Sequence, residues 1–258
     1  MSTPSLNTGN AWRIDHLDET DSTQLEAHRR AVTGERGPLW IRASRQTQGK
    51  GRSGRQWATG GGNLAATLLF APDCLPALQP QLSLVAGIAA YDAVAAFKDA
   101  GPQSAPLYLK WPNDLLIGDA KLAGILIEST IFGVDLVAIA GVGINLSGAP
   151  EIAGRRLTYL AAHSAHPPSP SALLETLDRF MRHWLNVWNN GAGFALIRAA
   201  WRARALPEGA PIMVNAGDGP VHGTFAGLDI DGALLLLEPS GHRRRFSWGD
   251  VTVPAAKV

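Results

Sequence analysis

The sequence predicts an α+β protein: a main body of mixed helices and strands, followed by a small all-β domain. Three observations predict it. Apolar residues at 173, 174, 177, 180, 181, 184, 185 and 188 recur with a helical period, so residues 171–190 form an amphipathic helix. Before Pro207, short β-rich runs are separated by glycine and proline turns. After PEGAP (207–211) only short strands and turns remain: PIMVNAG, VHGTFAGLD, GALLLLE and RRRFSWGDVTV. That last stretch is too short for much core of its own.

Residues 1–10 are small and polar and read as a loose, flexible tail. Residues 20–34, TDSTQLEAHRRAVTG, open with capping residues and end in glycine, the punctuation of a helix. Residues 37–44, GPLWIRAS, read as a strand after a turn, and residues 63–71, NLAATLLFA, as the next. Between them lies the glycine-rich run QTQGKGRSGRQWATGGGN, residues 46–63. Residues 82–101 have helical length and are apolar on nearly every side, which predicts a buried helix. Residues 107–130 read as strand, turn, strand, hairpin turn at IGDAK, and strand. Residues 135–147 are a β-rich run ending in a glycine pair. The domain border falls near Leu206, giving a main domain over 11–206 and a C-terminal domain over 207–258.

The chain has 258 residues, 46% of them hydrophobic, enough for a large core and a small second domain. Its net charge is +1, so no global basic field favours nucleic acid. The single cysteine, Cys74, cannot form an internal disulfide, which favours a reducing compartment, the cytoplasm. The N-terminus lacks the cationic start and apolar run of a secretory signal. No stretch approaches about 18 consecutive apolar residues, so no membrane span is expected.

GKGRSG, residues 49–54, spells GxGxxG. In a dinucleotide fold the third glycine opens a helix. Here it is followed by RQWATGGGN, with no apolar period, so the topology is strand–loop–strand and the nicotinamide reading fails. A phosphate loop fails too, because Gly49-Lys50 is followed by Gly51 and not by a hydroxyl residue. What remains is either a flexible basic loop or an anion-binding one. Lys50, Arg52 and Arg55 interleave with glycines that let the backbone approach a ligand.

Other clusters are ambiguous singly. Ser22 and Thr23 stand where a plain helix cap would. In KWPNDLLIGDAKLAGILIE (110–128), Asn113 and Asp114 set an amide beside a carboxylate, and Lys121 at the mouth of an apolar strand is either snorkelling or functional. GVGIN (141–145) is either a close strand contact or a ligand approach ending in an amide.

Taken in order, ETDST, QTQGKGRSGRQW, KWPNDLLIGDAKLAGILIE and GVGINL resemble the biotin protein ligases over nearly the whole chain. The resemblance implies a mixed, largely antiparallel sheet packed with helices, shared with lipoate ligases, and an SH3-like β-barrel at the C-terminus. It implies a two-step reaction with ATP and biotin as substrates and Mg2+ accompanying ATP. Biotin carboxylate attacks the α-phosphate to give biotinyl-5′-AMP and pyrophosphate. A lysine of a biotin carboxyl carrier domain then takes the biotin and releases AMP.

The resemblance also implies roles for residues. Ser22, Thr23 and Gln46 should meet the biotin ureido ring, neutral groups suited to a neutral urea. The backbone of Gly49, Lys50 and Gly51 should lie against the ligand. Trp57 should cover the biotin tail, with Gly124, Gly141 and Gly143 leaving room for it. Arg52 and Lys121 are the expected catalytic residues: Arg52 bridges the carboxylate and α-phosphate, and Lys121 meets the same region as charge develops. Lys50 and Arg55 should add phosphate or adenine contacts, and Asn145 should contact adenine. Asn113 and Asp114 should help place the nucleotide and its magnesium, with no metal ligands assigned. Because cations on a closing loop offset repulsion between two anions, loop 48–56 should be mobile without ligand and protected by biotin plus ATP.

The chain also departs from its relatives. Many have Arg where Lys50 stands, and Lys loses the bidentate fork, so adenylate should be held more weakly. Many have Asn where Gln24 stands, which leaves Gln24 unassigned. The adenine-stacking residue of some members cannot be aligned onto GRRLTYL (154–160). Some members carry a DNA-binding module ahead of ETDST; here that motif starts at Glu19, so specific DNA binding is not expected. Members dimerise through sheet edges in some cases and not in others, which leaves a homodimer open. The competing readings are a lipoate or octanoate ligase on the same fold, and a non-catalytic biotin sensor or nucleic-acid binder using GKGRSGR and HRRRF (242–246).

Overall fold

Seven strands form the main sheet: β1 (Arg13–Thr20), β2 (Leu39–Gln46), β3 (Leu64–Phe70), β4 (Leu107–Lys110), β5 (Asp114–Ile117), β6 (Ala120–Phe132) and β7 (Asp135–Ile144). The computed structural model describes residues 10–58, 61–101, 103–133, 135–217 and 219–254, so the expected tail lies outside them apart from Asn10. The sheet order is β1-β2-β3-β7-β6-β5-β4. Only β1 and β2 run parallel; every other pair is antiparallel, so the sheet is mixed and largely antiparallel as expected.

Strand alternation divides the core in two. On one face Leu39 and Ile41 of β2, Leu69 of β3, and Val137 and Ile139 of β7 pack beneath Ala27 and Ala31 of α1 (Thr23–Val32). The opposite parity, Trp40, Leu68, Ala138 and Ala140, faces the larger core under α2 (Gln81–Ala95), α3 (Pro170–Trp188) and α4 (Phe194–Arg204). Because β3 is covered on both faces, its seven residues are all buried, which explains an apolar run interrupted only by Thr67.

The helices form where their local signals stand. Ser169 caps α3 by accepting from Ala172 N at 3.2 Å, Pro170 occupies the first turn, and Asn189 ends the helix in the left-handed region at φ 44°. Helix α2 is buried along most of its length, as its all-round apolarity predicts, but ends at Ala95, short of the glycine expected to stop it. Gly118 at φ +59° supplies the tight turn between β5 and β6.

Two elements were not expected. β1 is an edge strand with mostly exposed or half-exposed residues, so it lacks an apolar alternation to read. Helix α4 buries Phe194, Ile197 and Trp201, a spacing that was present in the sequence and unused.

The C-terminal residues form a separate antiparallel sheet, in the order β11 (Arg243–Phe246), β10 (Leu234–Leu237), β9 (Pro220–Leu228), β8 (Pro211–Asn215), β12 (Asp250–Thr252). Its buried residues, among them Val214, Phe225, Leu236 and Val251, belong to the same apolar cluster as the helical side of the main sheet. The small domain therefore shares a core with its neighbour, as its size requires. The link between them, at Ala205 and Leu206, is hydrogen-bonded to the β4 edge through Leu206 N and Leu109 O.

Candidate active site

A cavity of about 600 Å3 opens on the α1 face of the main sheet, within the size range of small-molecule sites. Its floor is Ala65 and Thr67 of β3, Gly141 and Gly143 of β7, and Gly124 and Leu126 of β6.

One end is polar and neutral. Ser22 stands at the N-cap of α1, yet its side chain makes no capping bond. Its Oγ is buried and unpartnered in a residue that lines the cavity. Beside it, Thr67 Oγ1 donates to Thr23 Oγ1 at 2.8 Å, and Thr23 donates in turn to Gln46 Oε1 at 3.1 Å. Thr23 N reaches the same oxygen at 2.8 Å. A buried hydroxyl without a partner is costly and marks a place where a polar ligand is accepted. Gln24, unassigned from sequence, is 3% exposed and ties α1 to the strands: its Nε2 donates to Ile139 O at 3.1 Å and to Glu128 Oε2 at 2.9 Å.

The other end is cationic. Asp114 is buried between two ammonium groups, Lys121 Nζ at 2.6 Å and Lys110 Nζ at 2.9 Å. Burial alone would raise its pKa, but the two lysines hold it below the ordinary carboxylate value. Burial pushes the Lys121 ammonium below the ordinary lysine value, Lys110 and Arg55 push the same way, and Asp114 opposes them. Lys121 Nζ also lies 5.5 Å from the Trp57 ring centroid.

The glycine-rich loop folds back on itself. Trp57 N donates to Gly49 O at 2.8 Å and Gly51 N to Arg55 O at 2.7 Å, closing around a turn with Ser53 at φ 55° and Gly54 at φ +71°. Arg52 Nη1 donates to Asn113 Oδ1 at 3.1 Å. The Lys50 side chain is exposed and makes no ion pair among the described residues. Behind the cations, residues 156–160 run beside Lys121 and Asn145: Lys121 N donates to Arg156 O, Thr158 N to Lys121 O, and Asn145 Nδ2 to Thr158 O at 3.0 Å.

Ser22, Thr23, Gln46, Lys50, Gly51, Arg52, Arg55, Trp57, Asn113, Asp114, Lys121, Gly124, Gly141, Gly143 and Asn145 all line this one cavity. At three of these places the structure shows what the residues themselves touch. Gly49 does not line it; a Cβ there would overlap the Trp57 carbonyl and lie 2.9 Å from the Gln46 amide, so this glycine serves the loop's own closure. The space beside the other glycines is filled by protein: a Cβ on Gly141 would stand 2.5 Å from Gln24 Oε1, one on Gly143 would overlap the Trp57 indole, and one on Gly124 would stand 3.1 Å from Trp57 Cζ3. They seat Gln24 and Trp57 first. Asn113 and Asp114 are spent on positioning. Both Asp114 oxygens hold lysines, while Asn113 accepts from Arg52 and donates to Ile125 O at 2.5 Å.

Sequence reasoning missed Thr67, Lys110, Gln24 and Asp250. Thr67 had a signal, a lone hydroxyl in an apolar strand; Asp250 had none. The HRRRF run is compensated within its own sheet, since Arg245 pairs with Asp229 and Asp231, and Arg244 faces Glu238 at 3.8 Å and the Phe246 ring. No helix among the described residues is long and apolar enough to cross a membrane.

Residues 17–145 match the description "Biotin/lipoate A/B protein ligase family", and residues 209–253 match "Biotin protein ligase C terminal domain". The chain belongs to the biotin protein ligase family. Within that family it is 39% identical over 248 residues to a biotin–[acetyl-CoA-carboxylase] ligase of Paracoccus denitrificans, covering 94% of this chain and 98% of the relative. It is 32% identical to the ligase of the same name from Mycobacterium tuberculosis, over 95% of this chain and 91% of the relative. A solved biotin protein ligase from Aquifex aeolicus, in complex with biotin and ATP, superposes with a TM-score of 0.76 at 26% identity, covering 93% and 97% of the two chains. The two-domain layout, the mixed sheet and the C-terminal antiparallel sheet are thus those of biotin protein ligases.

Proposed function

We propose that this chain is an ATP-dependent biotin protein ligase, with the cavity described above as the site where biotin is activated and handed to a carrier. The observation that supports this best is the polarity of the cavity. One end offers an unpartnered neutral hydroxyl, Ser22 Oγ, beside the Thr67–Thr23–Gln46 chain. The other gathers Lys121, Arg52, Arg55 and Lys50. Biotin has the same two ends, a neutral urea and a carboxylate. Its relatives are named for biotin and for acetyl-CoA carboxylase, whose biotin carboxyl carrier domain is the corresponding partner here.

The chemistry follows from the cations. Biotin carboxylate and the α-phosphate of ATP are both anionic and repel each other until positive charge lies between them. Lys121, desolvated and paired with Asp114, supplies an ammonium at a fixed place where charge develops in both steps. Arg52, held by Asn113, is turned toward the same region. Bringing the two anions into one cavity contributes through orientation as well. Asn145 Nδ2 donates to Thr158 O, which orients the amide and leaves Oδ1 to accept from the amino group of adenine.

Magnesium enters with ATP as part of the substrate. No group of three or more His, Cys, Asp or Glu side chains among the described residues could hold a metal ion, and both Asp114 oxygens are engaged by lysines. The residues present do not form a protein cage for the ion.

A lipoate ligase is the alternative with the same fold. Its substrate would place an apolar dithiolane against Ser22 Oγ and leave that hydroxyl unpaired, which sites built for hydrogen bonding strongly disfavour. The deciding experiment offers biotin, lipoate and octanoate in turn, with ATP and a carrier domain, to the natural protein and to Lys121→Ala. Transfer of biotin alone, lost in Lys121→Ala, is expected. Transfer of lipoate in place of biotin would overturn the reading, and a fully active Lys121→Ala would remove Lys121 from the chemistry.

A further inference from the structure

One wall of the cavity is not built by the main sheet. It comes from the C-terminal sheet, where Met213, Asn215 and residues 250–253 line the opening. Three cations reach across to consecutive residues of that wall. Arg55 Nη2 donates to Asp250 Oδ1 at 2.8 Å. Arg52 Nη2 donates to Gly249 O at 3.3 Å, with Nη1 3.9 Å from the same Asp250 oxygen. Lys110 Nζ, already on Asp114, donates to Val251 O at 2.9 Å. The wall is firm: β12 pairs with β8 through Asp250–Asn215 and Val251–Val214, and Val251 is buried in the shared core. The loop is the weaker partner, since the backbone bonds Trp57–Gly49 and Gly51–Arg55 that close it are internal.

We propose that Asp250 is a positioning residue supplied by the C-terminal sheet: through Arg55 it biases loop 49–57 toward the closed form over the cavity before any substrate arrives, against the ligand-free mobility that the resemblance implies. What the loop covers rests on the ligase reading; the hold itself does not. With side chains 39% and 50% exposed, the pair is open to water, so its effect on the closed-to-open ratio is a factor of about two to five. It should weaken with salt, because exposed pairs are screened. So weak a hold is also reversible, as a loop that must admit substrates and a carrier requires.

The test is limited trypsin digestion of the ligand-free full chain at low salt, reading cleavage after Lys50, Arg52 and Arg55 by mass spectrometry. Asp250→Asn and Asp250→Ala are expected to be cut about two- to fivefold faster at these bonds. Asp250→Glu, which keeps the charge, should stay near the natural rate, and high salt should bring the natural protein up to the Asp250→Asn rate. Without carrier, AMP formed from biotin and ATP should rise by a similar factor in the Asn variant, as adenylate escapes to water. Three results would overturn the assignment: unchanged loop cleavage, cleavage that rises equally after Arg243, Arg244 and Arg245, or faster cleavage with unchanged AMP release. A failure of the ligase reading would look different, since the natural protein would then transfer no biotin at all.

Discussion

Replacing Asp114 by Asn tests the electrostatics of the site most directly. The substitution keeps the shape and removes the charge that holds two ammonium groups. Asp114 has 11% of its side chain exposed, Lys110 17% and Lys121 27%, so the cluster is largely shielded from water. Its two oxygens are each taken by one lysine. Asparagine offers one acceptor, so one lysine would face an amide N–H instead. Removing one member of a buried ion pair costs about 3–5 kcal/mol. The lower end, about 3 kcal/mol, applies here because both lysine side chains are partly exposed and their flexible stems can carry the ammonium toward water. The same change acts on Lys121. Burial already lowers its pKa, and Asp114 is the group that opposes this. Without it the ammonium should lose its proton at lower pH, so the alkaline limb of the rate profile should move down. Denaturant unfolding followed by tryptophan fluorescence gives the first quantity, and carrier biotinylation across pH the second. A stability loss below about 1 kcal/mol together with an unmoved alkaline limb would refute the argument, since the cost of breaking a buried ion pair would then not operate here.

Ser22→Ala should raise KM for biotin by roughly fivefold, about 1 kcal/mol, while the melting temperature holds or rises, because the lost hydroxyl caps nothing and is unpaired without ligand. Melting and biotin-dependent rates separate the two effects; a clear fall in melting temperature would return Ser22 to an ordinary cap. Gly141→Ala should cost about 1–3 kcal/mol, because its Cβ would stand 2.5 Å from Gln24 Oε1 and disturb the bonds to Ile139 O and Glu128; denaturant unfolding reads this, and a neutral result would mean Gln24 moves freely. Stability should also fall in acid. The folded pKa of Asp114 lies below its ordinary 3.8, and that of Asp21 is lowered chiefly by the Arg29 hydrogen bond. Both carboxylates therefore stabilise the fold fully above about pH 4 and lose that contribution as pH falls through their folded values. Unfolding at pH 2–6 checks it, and a flat profile there would count against both pairs.

Much of the fold was legible because its signals are local. The period of residues 171–190, the Gly118 turn and the apolar strand LAATLLF each reflect neighbours in sequence. β1 was not legible, because an edge strand with few buried residues leaves no alternation behind. Helix α4 shows the opposite case, a readable spacing at Phe194, Ile197 and Trp201 masked by its arginines. In the site, the order of the motifs identified which residue types meet. It did not identify which of them face each other.

By itself the sequence determined the α+β class, the family, and the gathering of neutral and cationic residues around one cavity, since these follow from local pattern and motif order. Only the tertiary structure decided how those residues are used. It placed Asp114 between Lys110 and Lys121, turned Gly141 and Gly143 into seats for Gln24 and Trp57, and set Asp250 against Arg55 across 195 residues of chain. The reason is physical: a charge chooses its partner by distance in space and by burial, and neither is written in the spacing of residues along the chain.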